Sequence, residues 1–470
     1  MAGEEKIRLE YKSNCHPEFN VGNSNLMNQP IKSLTLTLVS LFLLSVATLT
    51  AENWPHWRGP NFNGASDEKN LPTEFSKTNN VKWVAELPGP AAATPIVWND
   101  HVFVSSTDAK AKSLRALALD RKTGKELWNH EVSPAFGHDN MSNYGSPSPV
   151  TDGELVYFYY GNGELVAFDF AGKKIWARNI QTDYGQFAFQ WTYATSPTLA
   201  EGKLIIQVLQ RDVPVNGRGR KDAPNESYLL ALDPKTGKEL WKHNRPSEAR
   251  AESKESFSTP IPIKHGGKPQ LLVTGGDSIS AHDLNKQGEE LWRWGNYNPT
   301  RIGHWRLVPT PVANDSVALV CAPKGSPIYA AKLDSKGTVS DSDLAWTTSD
   351  REVSSDVCTP LLYQGKFYVL NGERQTKILA RVDPATGKTE WIGEIPSRAK
   401  IECSPTGVDG KIYFQSFKGE VFVVAAADEF KLLHTAGMGD EGDDKLRSTI
   451  VPSQGNLFIR TGSKLYCIGK

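Results

Sequence analysis

Residues 118–128 read A-L-D-R-K-T-G-K-E-L-W, and this stretch decides the fold because the chain repeats it. Residues 231–241 read A-L-D-P-K-T-G-K-E-L-W, and residues 381–391 read R-V-D-P-A-T-G-K-T-E-W. Looser or degraded copies end at three further tryptophans, Trp176, Trp292 and Trp346. A unit that returns along a chain indicates a repeat architecture, in which each copy is one supersecondary unit that buries its apolar face against its neighbours.

Each copy predicts two short strands joined by a tight turn. An apolar segment precedes the aspartate, and a second strand that ends in tryptophan follows the glycine. In such a turn the aspartate carboxylate accepts backbone N–H groups, proline presets φ, and glycine takes the position with positive φ. The tryptophan is a large flat side chain, which we expect to be buried between neighbouring sheets.

A second marker, Thr or Ser followed by Pro, opens a further pair of strands in each unit. The marker recurs at intervals of 45 to 63 residues, at Thr94, Ser148, Ser196, Thr259, Thr310, Thr359 and Ser404, with Thr449 as an eighth copy that lacks the proline. Each unit therefore contains four strands in about 50 residues, which is the size of one propeller blade and does not suit a solenoid of helices.

The eight markers indicate eight blades, but the last unit ends at residues 464–468 without a fourth strand. Residues 81–83 have the missing fourth-strand pattern, so we expect them to complete the last blade and to remove exposed sheet edges. The predicted fold is all-β: an eight-bladed β-propeller of four-stranded antiparallel blades over residues 81–470, with the ring closed by this N-terminal strand.

Seven blades then carry a tryptophan in the docking position. These residues are Trp83, Trp128, Trp176, Trp241, Trp292, Trp346 and Trp391. The seventh blade has a degenerate copy near His434, where we expect Leu433 to be the packing residue.

The N-terminal region contains the only long apolar run of the chain, residues 33–51. A lysine precedes the run and small residues lie near its end, a pattern typical of a secretory signal peptide cut near Ala47 or Ala51. We therefore assign residues 1–51 to a signal region and residues 52–80 to a lead-in segment. An uncleaved anchor helix is the alternative, because about 20 apolar residues span a bilayer.

Residues 1–26 are polar, charged and too long for an ordinary n-region, so we predict that translation starts at Met27. No cysteine follows the apolar run closely, and the sequence therefore has no lipobox. We expect a periplasmic or secreted protein whose mature chain has no membrane span.

The balanced charge of the chain argues against two kinds of partner. The chain has 53 basic and 53 acidic residues, which gives no support for nucleic acid or an anionic membrane as partner.

The cysteines of the mature chain are Cys321, Cys358, Cys403 and Cys467. Cys358 and Cys403 hold equivalent positions in neighbouring blades, and a disulfide between them is conceivable. We favour free buried thiols, because neighbouring inner strands are far apart for such a bond.

The unit A-x-D-x-x-T-G-K-x-x-W resembles the quinoprotein-like propeller repeat. This repeat occurs in pyrroloquinoline-quinone alcohol dehydrogenases and in the outer-membrane-protein assembly lipoprotein of the BamB type, and the resemblance covers residues 81–470. Residues 52–64 also look like the lead-in of the dehydrogenase branch. The alternative is that Trp54 and Trp57 simply pin this segment to the propeller surface. The resemblance implies the fold, whereas function must be argued from a site.

Features that the resemblance implies for the dehydrogenases are absent from this sequence. Those enzymes stack the quinone on a disulfide between adjacent cysteines, and they hold Ca²⁺ with a Glu and an Asn beside a catalytic Asp. The chain has no Cys-Cys pair, no C-x-x-C-H haem motif, and no convincing match to the calcium ligands. It also lacks the lipidated cysteine of the assembly lipoproteins. We expect no resident cofactor, with pyrroloquinoline quinone and Ca²⁺ as the alternative.

The loops that open strand A of each blade are the most promising place for a site, because binding residues concentrate on loops held by a rigid scaffold. These loops predict a ligand or partner site at the channel mouth formed by Tyr144, Trp191, Tyr193, His304, Trp305, Arg306, Asp356 and Arg447. Aromatic and arginine side chains suit a planar anionic ligand or a peptide strand. A solvated loop face is the alternative.

No catalytic or metal-binding set can be recognised. The ten histidines show no metal-ligand spacing, and the acidic run at residues 439–444 does not fit an EF-hand, so we expect a solvated loop there. Two functions remain open. The first is an exported binding or assembly scaffold, a monomer that binds an envelope protein, a peptide or a small planar anion. The second is a quinoprotein dehydrogenase for an alcohol, polyvinyl alcohol or sugar, with a diverged cofactor site.

Overall fold

The structure, a computed structural model, describes residues 52–348 and 350–470. The strands of this part of the chain form eight separate sheets, each built on four antiparallel strands. We name these strands A to D from the central channel outward. Most consecutive strands are joined by short turns, but a long loop separates strands B and C of blade 3, and strand D of blade 8 comes from the N-terminal segment.

The sheets follow one another along the chain as blades 1 to 8. Strands A to D are Ile96–Trp98, His101–Asp108, Ser113–Asp120 and Glu126–Ser133 in blade 1; Val150–Thr151, Leu155–Tyr159, Glu164–Asp169 and Lys174–Asn179 in blade 2; Thr198–Ala200, Lys203–Val208, Tyr228–Leu232 and Glu239–Asn244 in blade 3; and Ile261–His265, Lys268–Gly275, Ser278–Asp283 and Glu289–Trp294 in blade 4.

The second half of the ring has the same order. The strands are Val312–Ala313, Val317–Cys321, Ile328–Lys332 and Trp346–Thr347 in blade 5; Leu361–Tyr363, Lys366–Asn371, Lys377–Val382 and Thr389–Ile395 in blade 6; Thr406–Val408, Lys411–Gln415, Glu420–Ala425 and Leu432–Gly437 in blade 7; and Val451–Ser453, Asn456–Arg460, Lys464–Gly469 and Val81–Glu86 in blade 8. Short helices span Ile180–Tyr184, Ala251–Lys254 and Asp341–Asp343.

Blade 8 confirms the predicted closure of the ring. Strand Val81–Glu86 pairs antiparallel with Lys464–Gly469, with Val81 opposite Ile468 and Trp83 opposite Cys467. The all-β, eight-bladed propeller expected from the repeats is therefore the observed fold.

The Asp-x-x-Thr-Gly turns have the predicted chemistry. The Asp120 carboxylate accepts hydrogen bonds from the Thr123 backbone N–H at 2.8 Å and from the Thr123 hydroxyl at 2.7 Å. Gly124 has φ of 71° and donates its N–H to the Asp120 carbonyl at 2.8 Å. The turns at Asp233 and Asp383 repeat both carboxylate contacts.

The tryptophans dock each blade onto the next. The Trp83 ring lies directly over Gly124 of blade 1, so closely that a Cβ on this glycine would be 2.6 Å from the ring. Its indole N–H donates to the Arg121 carbonyl at 2.8 Å. The same donation to a turn carbonyl of the next blade is made by Trp128, Trp176, Trp346 and Trp391. The tryptophans are thus packing residues, as their regular placement predicted.

Three blade junctions depart from this pattern. Within the described residues no turn glycine lies against Trp391, whose ring contacts Phe430 instead. None lies against Trp292 either, and the chain after blade 4 adds the strand Gly337–Thr338 beside strand D, with Trp292 opposite Gly337. In blade 7, Leu433 packs against the apolar cluster between blades 7 and 8, as expected. The His434 ring N–H donates a 3.0 Å hydrogen bond to the Phe75 carbonyl, so the lead-in covers this outer strand.

The hydrophobic core is distributed around the ring. Buried apolar side chains fall into eight clusters, and each cluster joins two neighbouring blades. Strands B and C supply most of these side chains, because both of their faces are covered by the adjacent blades.

The four cysteines of the propeller are buried and free, which confirms the preference for free thiols. Burial raises the pKa of Cys403 and Cys467 to about 12. In the acidic run, Asp440 is held by Lys77 at 3.2 Å and by Lys464 at 3.5 Å.

Among the residues described here, no helix has the length and apolar character needed to cross a membrane. The predicted signal region, the cleavage site and the start at Met27 lie outside the described residues.

Candidate functional site

The centre of the propeller is encircled by the hydroxyl side chains of the Thr/Ser markers. Around this hydroxyl ring, the marker backbone N–H of one blade donates to the marker hydroxyl of the next blade. Seven such bonds of 2.9 to 3.2 Å link the markers in the order Thr449, Thr94, Ser148, Ser196, Thr259, Thr310, Thr359 and Ser404. The marker is therefore a structural joint between inner strands as well as the start of each strand A.

A second circle of side chains lies two residues before the markers, on the side where the channel opens. Every second residue of an extended strand points to the same face, so these side chains line the same channel as the marker hydroxyls. This upper ring consists of Ala92, Ser146, Ala194, Phe257, Val308, Val357, Glu402 and Arg447. Apart from Ser146, its members on blades 1 to 6 are apolar, and blades 7 and 8 contribute a charged pair.

The lead-in closes the opposite end of the channel. We call residues 54–66 the plug, because they contact four inner strands at positions three residues after the markers. Trp54 bridges to Val97 of blade 1, and Ala65–Ser66 pairs in parallel with strand A of blade 7. Plug carbonyls also accept the backbone N–H groups of Thr151, Leu362 and Gly407 at 3.0 to 3.1 Å.

Arg58 anchors the plug beneath the hydroxyl ring. Its guanidinium is fully buried and donates to the Pro360 carbonyl at 2.7 Å and to the Pro405 carbonyl at 3.0 Å. Burial lowers its pKa to about 9, so the side chain remains charged at neutral pH. Trp57, beside it in the plug, lines the channel itself.

The rings and the plug enclose a cavity of about 190 Å³ that contains Trp57 and all eight marker hydroxyls in its lining. Three of the residues predicted at the mouth, Trp191, Arg306 and Arg447, also line this cavity. The lead-in therefore does more than pin itself to the surface: Trp54 is packed in the core between blades 8 and 1, while Trp57 forms part of the cavity.

Trp191 and Arg306 are held by one carboxylate. The Trp191 indole N–H donates to Glu252 at 3.0 Å, and the Arg306 guanidinium lies 3.4 Å from the same oxygen. Glu255, one turn further, is fully buried and accepts the Gln190 backbone N–H at 3.1 Å. Burial raises the pKa of Glu255 to about 7, although Arg211 and the backbone N–H act in the opposite direction.

The charged pair of the upper ring joins blades 7 and 8. Arg447 donates to Glu402 at 2.5 Å and stacks on Phe417, with 4.7 Å between the guanidinium carbon and the ring centroid. Burial raises the pKa of the Glu402 carboxyl above its usual range. Glu373 stands close to Glu402 and is bound by Lys400 at 2.7 Å.

The other predicted residues lie apart from the cavity. Tyr144 and Tyr193 border a side pocket of about 220 Å³ that shares Trp191 with it. Tyr193 itself is buried and donates its hydroxyl to the Gln207 carbonyl at 2.5 Å.

His304 is exposed, and Trp305 is half-buried against the cluster between blades 4 and 5. Asp356 pairs with Lys324 at 3.5 Å. Of the eight predicted residues, Trp191, Arg306 and Arg447 line the central cavity, and the other five do not.

Sequence reasoning missed the parts of the site that the repeat itself supplies. The sequence predicts the markers only as strand starts, and no pattern distinguishes Arg58 from the rest of the lead-in. The signal was present in the fixed spacing, because residues at one position of every unit meet at the axis of a closed ring.

The cavity does not match a calcium site of the quinoprotein kind. Ca²⁺ takes six to eight oxygen ligands and prefers carboxylates. Glu402 is the one carboxylate in the lining, and Arg447 already holds it. In the part of the chain that the structure describes, no group of three or more His, Cys, Asp or Glu side chains is placed to bind a metal ion.

Comparison with known proteins assigns the chain to a family. The family described as "Outer membrane protein assembly factor BamB" matches residues 66–213 and 225–468. The chain belongs to this family. Among solved structures, BamB from Moraxella catarrhalis superposes with a TM-score of 0.54 at 11% identity, covering 83% of this chain and 98% of that one. The quinohemoprotein alcohol dehydrogenase from Comamonas testosteroni gives a TM-score of 0.63 at 14% identity, covering 89% and 81%. Both likenesses show the fold.

Curated relatives include enzymes. A tetrathionate hydrolase from Acidithiobacillus ferrooxidans is 24% identical over 62% of this chain and 53% of its own length. A polyvinylalcohol dehydrogenase from a Pseudomonas species is 28% identical over 54% of this chain and 37% of its own length. The chain thus matches about half or less of the length of these relatives.

Proposed function

We propose that this chain is an exported propeller that acts as a binding and assembly scaffold in the cell envelope. Membership of the assembly-factor family and the apolar N-terminal run support export and a protein partner. The observation that carries the proposal is the outer rim of blades 8, 1, 2 and 3.

Each of these four consecutive blades exposes one aliphatic side chain beside its docking tryptophan. The exposed fractions are 44% for Val84, 48% for Leu127, 40% for Ile175 and 47% for Leu240. All four belong to strand D, which in these blades pairs only with strand C among the described residues. An outer strand with free backbone groups and an apolar side chain is suited to pairing with an extended segment of another chain.

The propeller covers the equivalent edge in two other blades with its own chain. In blade 4, strand Gly337–Thr338 lies along strand D, and the Val339 N–H donates to the Arg293 carbonyl at 2.8 Å. In blade 7, Phe75 of the lead-in covers His434. Blade 4 supplies an internal example of strand addition at this rim, and the edges of blades 8 to 3 are left for a partner.

Site-specific photo-crosslinking in living cells tests the rim. A photoreactive residue at position 127 or 240 is expected to capture an envelope protein, and the L127E/I175E/L240E variant is expected to lose that protein on purification. Val213, which is 58% exposed in the long loop of blade 3, is the matched control position, and Met141 reports on the channel mouth. Equal capture at all positions, or none at the rim, would refute the scaffold surface.

A quinoprotein dehydrogenase is the second candidate. It is favoured by the flat Trp57 ring in the channel and by the dehydrogenase relatives, whereas the lone, occupied Glu402 carboxylate counts against it. Titration with pyrroloquinoline quinone and Ca²⁺, followed by quinone absorbance and dye-linked oxidation of alcohols, separates the two candidates. We expect no saturable quinone binding; saturable binding with turnover would establish the dehydrogenase.

A further inference from the structure

The hydroxyl ring has donors that the protein does not use. A hydroxyl can donate one hydrogen bond and accept two. Seven ring hydroxyls accept a backbone N–H from the neighbouring blade, but within residues 52–348 and 350–470 no ring hydroxyl has a protein acceptor for its own hydrogen. Buried donors in proteins bind protein groups, ordered water or ligands, so these hydroxyls are available to a ligand in the neck of the channel.

The ring hydroxyls are deeply buried and share one space. The ring residues are 2% to 6% exposed, and all eight border the same cavity. In seven of the hydroxyls the N–H group of the neighbouring blade occupies the side that faces along the ring, so their hydrogens are free to turn toward the cavity. The ring then presents up to eight O–H donors to the cavity that its residues share.

The charges behind the ring favour a negative acceptor. Arg58 and Arg460 are fully buried, and neither pairs with a carboxylate among the described residues. Arg58 binds the carbonyls of Pro360 and Pro405, and Arg460 binds the carbonyl of Ala93 at 3.0 Å. These carbonyls adjoin ring residues Thr359, Ser404 and Thr94, so two uncompensated cations lie one residue from the hydroxyls in a medium of low dielectric constant.

The mouth of the cavity adds no net charge. Arg306 and Arg447 line it, and each is matched by one carboxylate, Glu252 and Glu402. Since these pairs are neutral, the net charge near the neck comes from the two buried guanidinium groups. Oxyanions gain most from such a place, because charge-assisted hydrogen bonds are stronger than those to neutral acceptors.

We propose that the hydroxyl ring is a binding site for a small oxyanion of the sulfate or phosphate class. The anion accepts O–H groups from the ring on the channel axis, with Trp57 closing the site on the plug side and the upper ring on the mouth side. This site is independent of the scaffold function proposed above, which rests on the outer rim.

Calorimetric titration with sulfate, and separately with phosphate, tests the site in the full exported chain. Thr449→Val is the informative variant: the Thr449 hydroxyl accepts no backbone N–H within the described residues, so its removal deletes a ring donor and keeps the seven joints. We expect saturable binding in the wild type and about tenfold weaker binding in the variant, as for the loss of one hydrogen bond to a charged group.

Thr389→Val is the matched control, since the Thr389 hydroxyl is also buried and without a partner but lies on the outer strand of blade 6. It is expected to bind the anion as the wild type does. Absence of saturable binding in the wild type, or equal weakening in both variants, would overturn the proposal.

Crystals soaked in selenate give a test that does not depend on a variant. The anomalous signal of selenium is expected in the central cavity, with selenate oxygens about 2.8 Å from ring hydroxyl oxygens. Selenium found only on the protein surface would contradict the site.

Discussion

At the scale of single residues, the repeat joins neighbouring blades by packing a tryptophan ring on a turn glycine. Gly124 needs a positive φ for the turn, and the absence of a side chain lets the Trp83 ring lie on it. The same pairing joins Gly172 to Trp128, Gly237 to Trp176 and Gly387 to Trp346. One small and one large residue, far apart along the chain, therefore set the spacing between blades.

Replacing Gly124 with alanine tests this packing. We expect a loss of about 2–5 kcal/mol in the free energy of unfolding, from the left-handed backbone and from overlap with Trp83. Gly365→Ala is the control, because Gly365 has the same φ of 71° but open space around it, and about 1–2 kcal/mol is expected. Urea unfolding measures both; equal losses would show that the tryptophan contact contributes nothing.

The stability of the fold depends on pH through the buried carboxyl of Glu255. Its raised folded-state pKa of about 7, against an ordinary value of 4.5, means that the folded protein binds more protons than the unfolded chain between these values. Its contribution to stability is therefore present at low pH and is lost as pH rises from 4.5 to 7.

We expect the stability of the wild type to fall across this window relative to Glu255→Gln. Thermal unfolding at a series of pH values measures the difference between the two proteins. Glu394→Gln, at an exposed position on blade 6, is the control and should follow the wild type. A constant difference between wild type and Glu255→Gln would contradict the assignment.

At the scale of elements, the plug behaves as an extra structural piece outside the repeat. It spans the channel end, contacts blades 1, 2, 6 and 7, and buries Trp54 and Arg58. Its burial of apolar surface and its backbone hydrogen bonds tie together blades on opposite sides of the ring.

A chain that starts at residue 67 removes the plug and keeps the rest of the lead-in and the closing strand Val81–Glu86. We expect it to retain its β-sheet circular dichroism spectrum but to unfold at a lower denaturant concentration than a chain that starts at residue 52. Unchanged stability would mean that the plug is only a cover for the cavity.

At the scale of the whole molecule, the core is divided among eight interfaces and the ring is closed by non-covalent pairing. Opening one interface of a closed ring frees both adjoining blades, so we expect the domain to unfold in one cooperative step. Docking tryptophans report on most of the interfaces, while far-ultraviolet circular dichroism reports on all strands.

Coincident fluorescence and circular dichroism transitions in denaturant are therefore expected for a chain that starts at residue 52. A chain that starts at residue 87 lacks the closing strand, and its two transitions should separate. Separate transitions in the longer chain would argue that the blades unfold individually.

Much of this architecture could be predicted from the sequence because its causes are local. The Asp-x-x-Thr-Gly turn forms within five residues, and the marker spacing counts the blades. The incomplete last unit pointed to residues 81–83. The site was less predictable: Trp191, Arg306 and Arg447 reached the cavity, whereas His304, Trp305 and Asp356 did not. Loop residues do not follow the period that defines the strands, so the sequence does not show which loop side chains point into the channel.

The sequence by itself determined the all-β class, the number of blades, the closing strand and the tryptophan joints, because each is encoded in turns and periods within about 50 residues. Only the tertiary structure decided which groups meet at the axis. Eight marker hydroxyls converge there because the ring closes, and Arg58 lies beneath them because a non-repetitive lead-in crosses the channel. A contact between residues hundreds of positions apart follows from the closed ring and not from any local pattern.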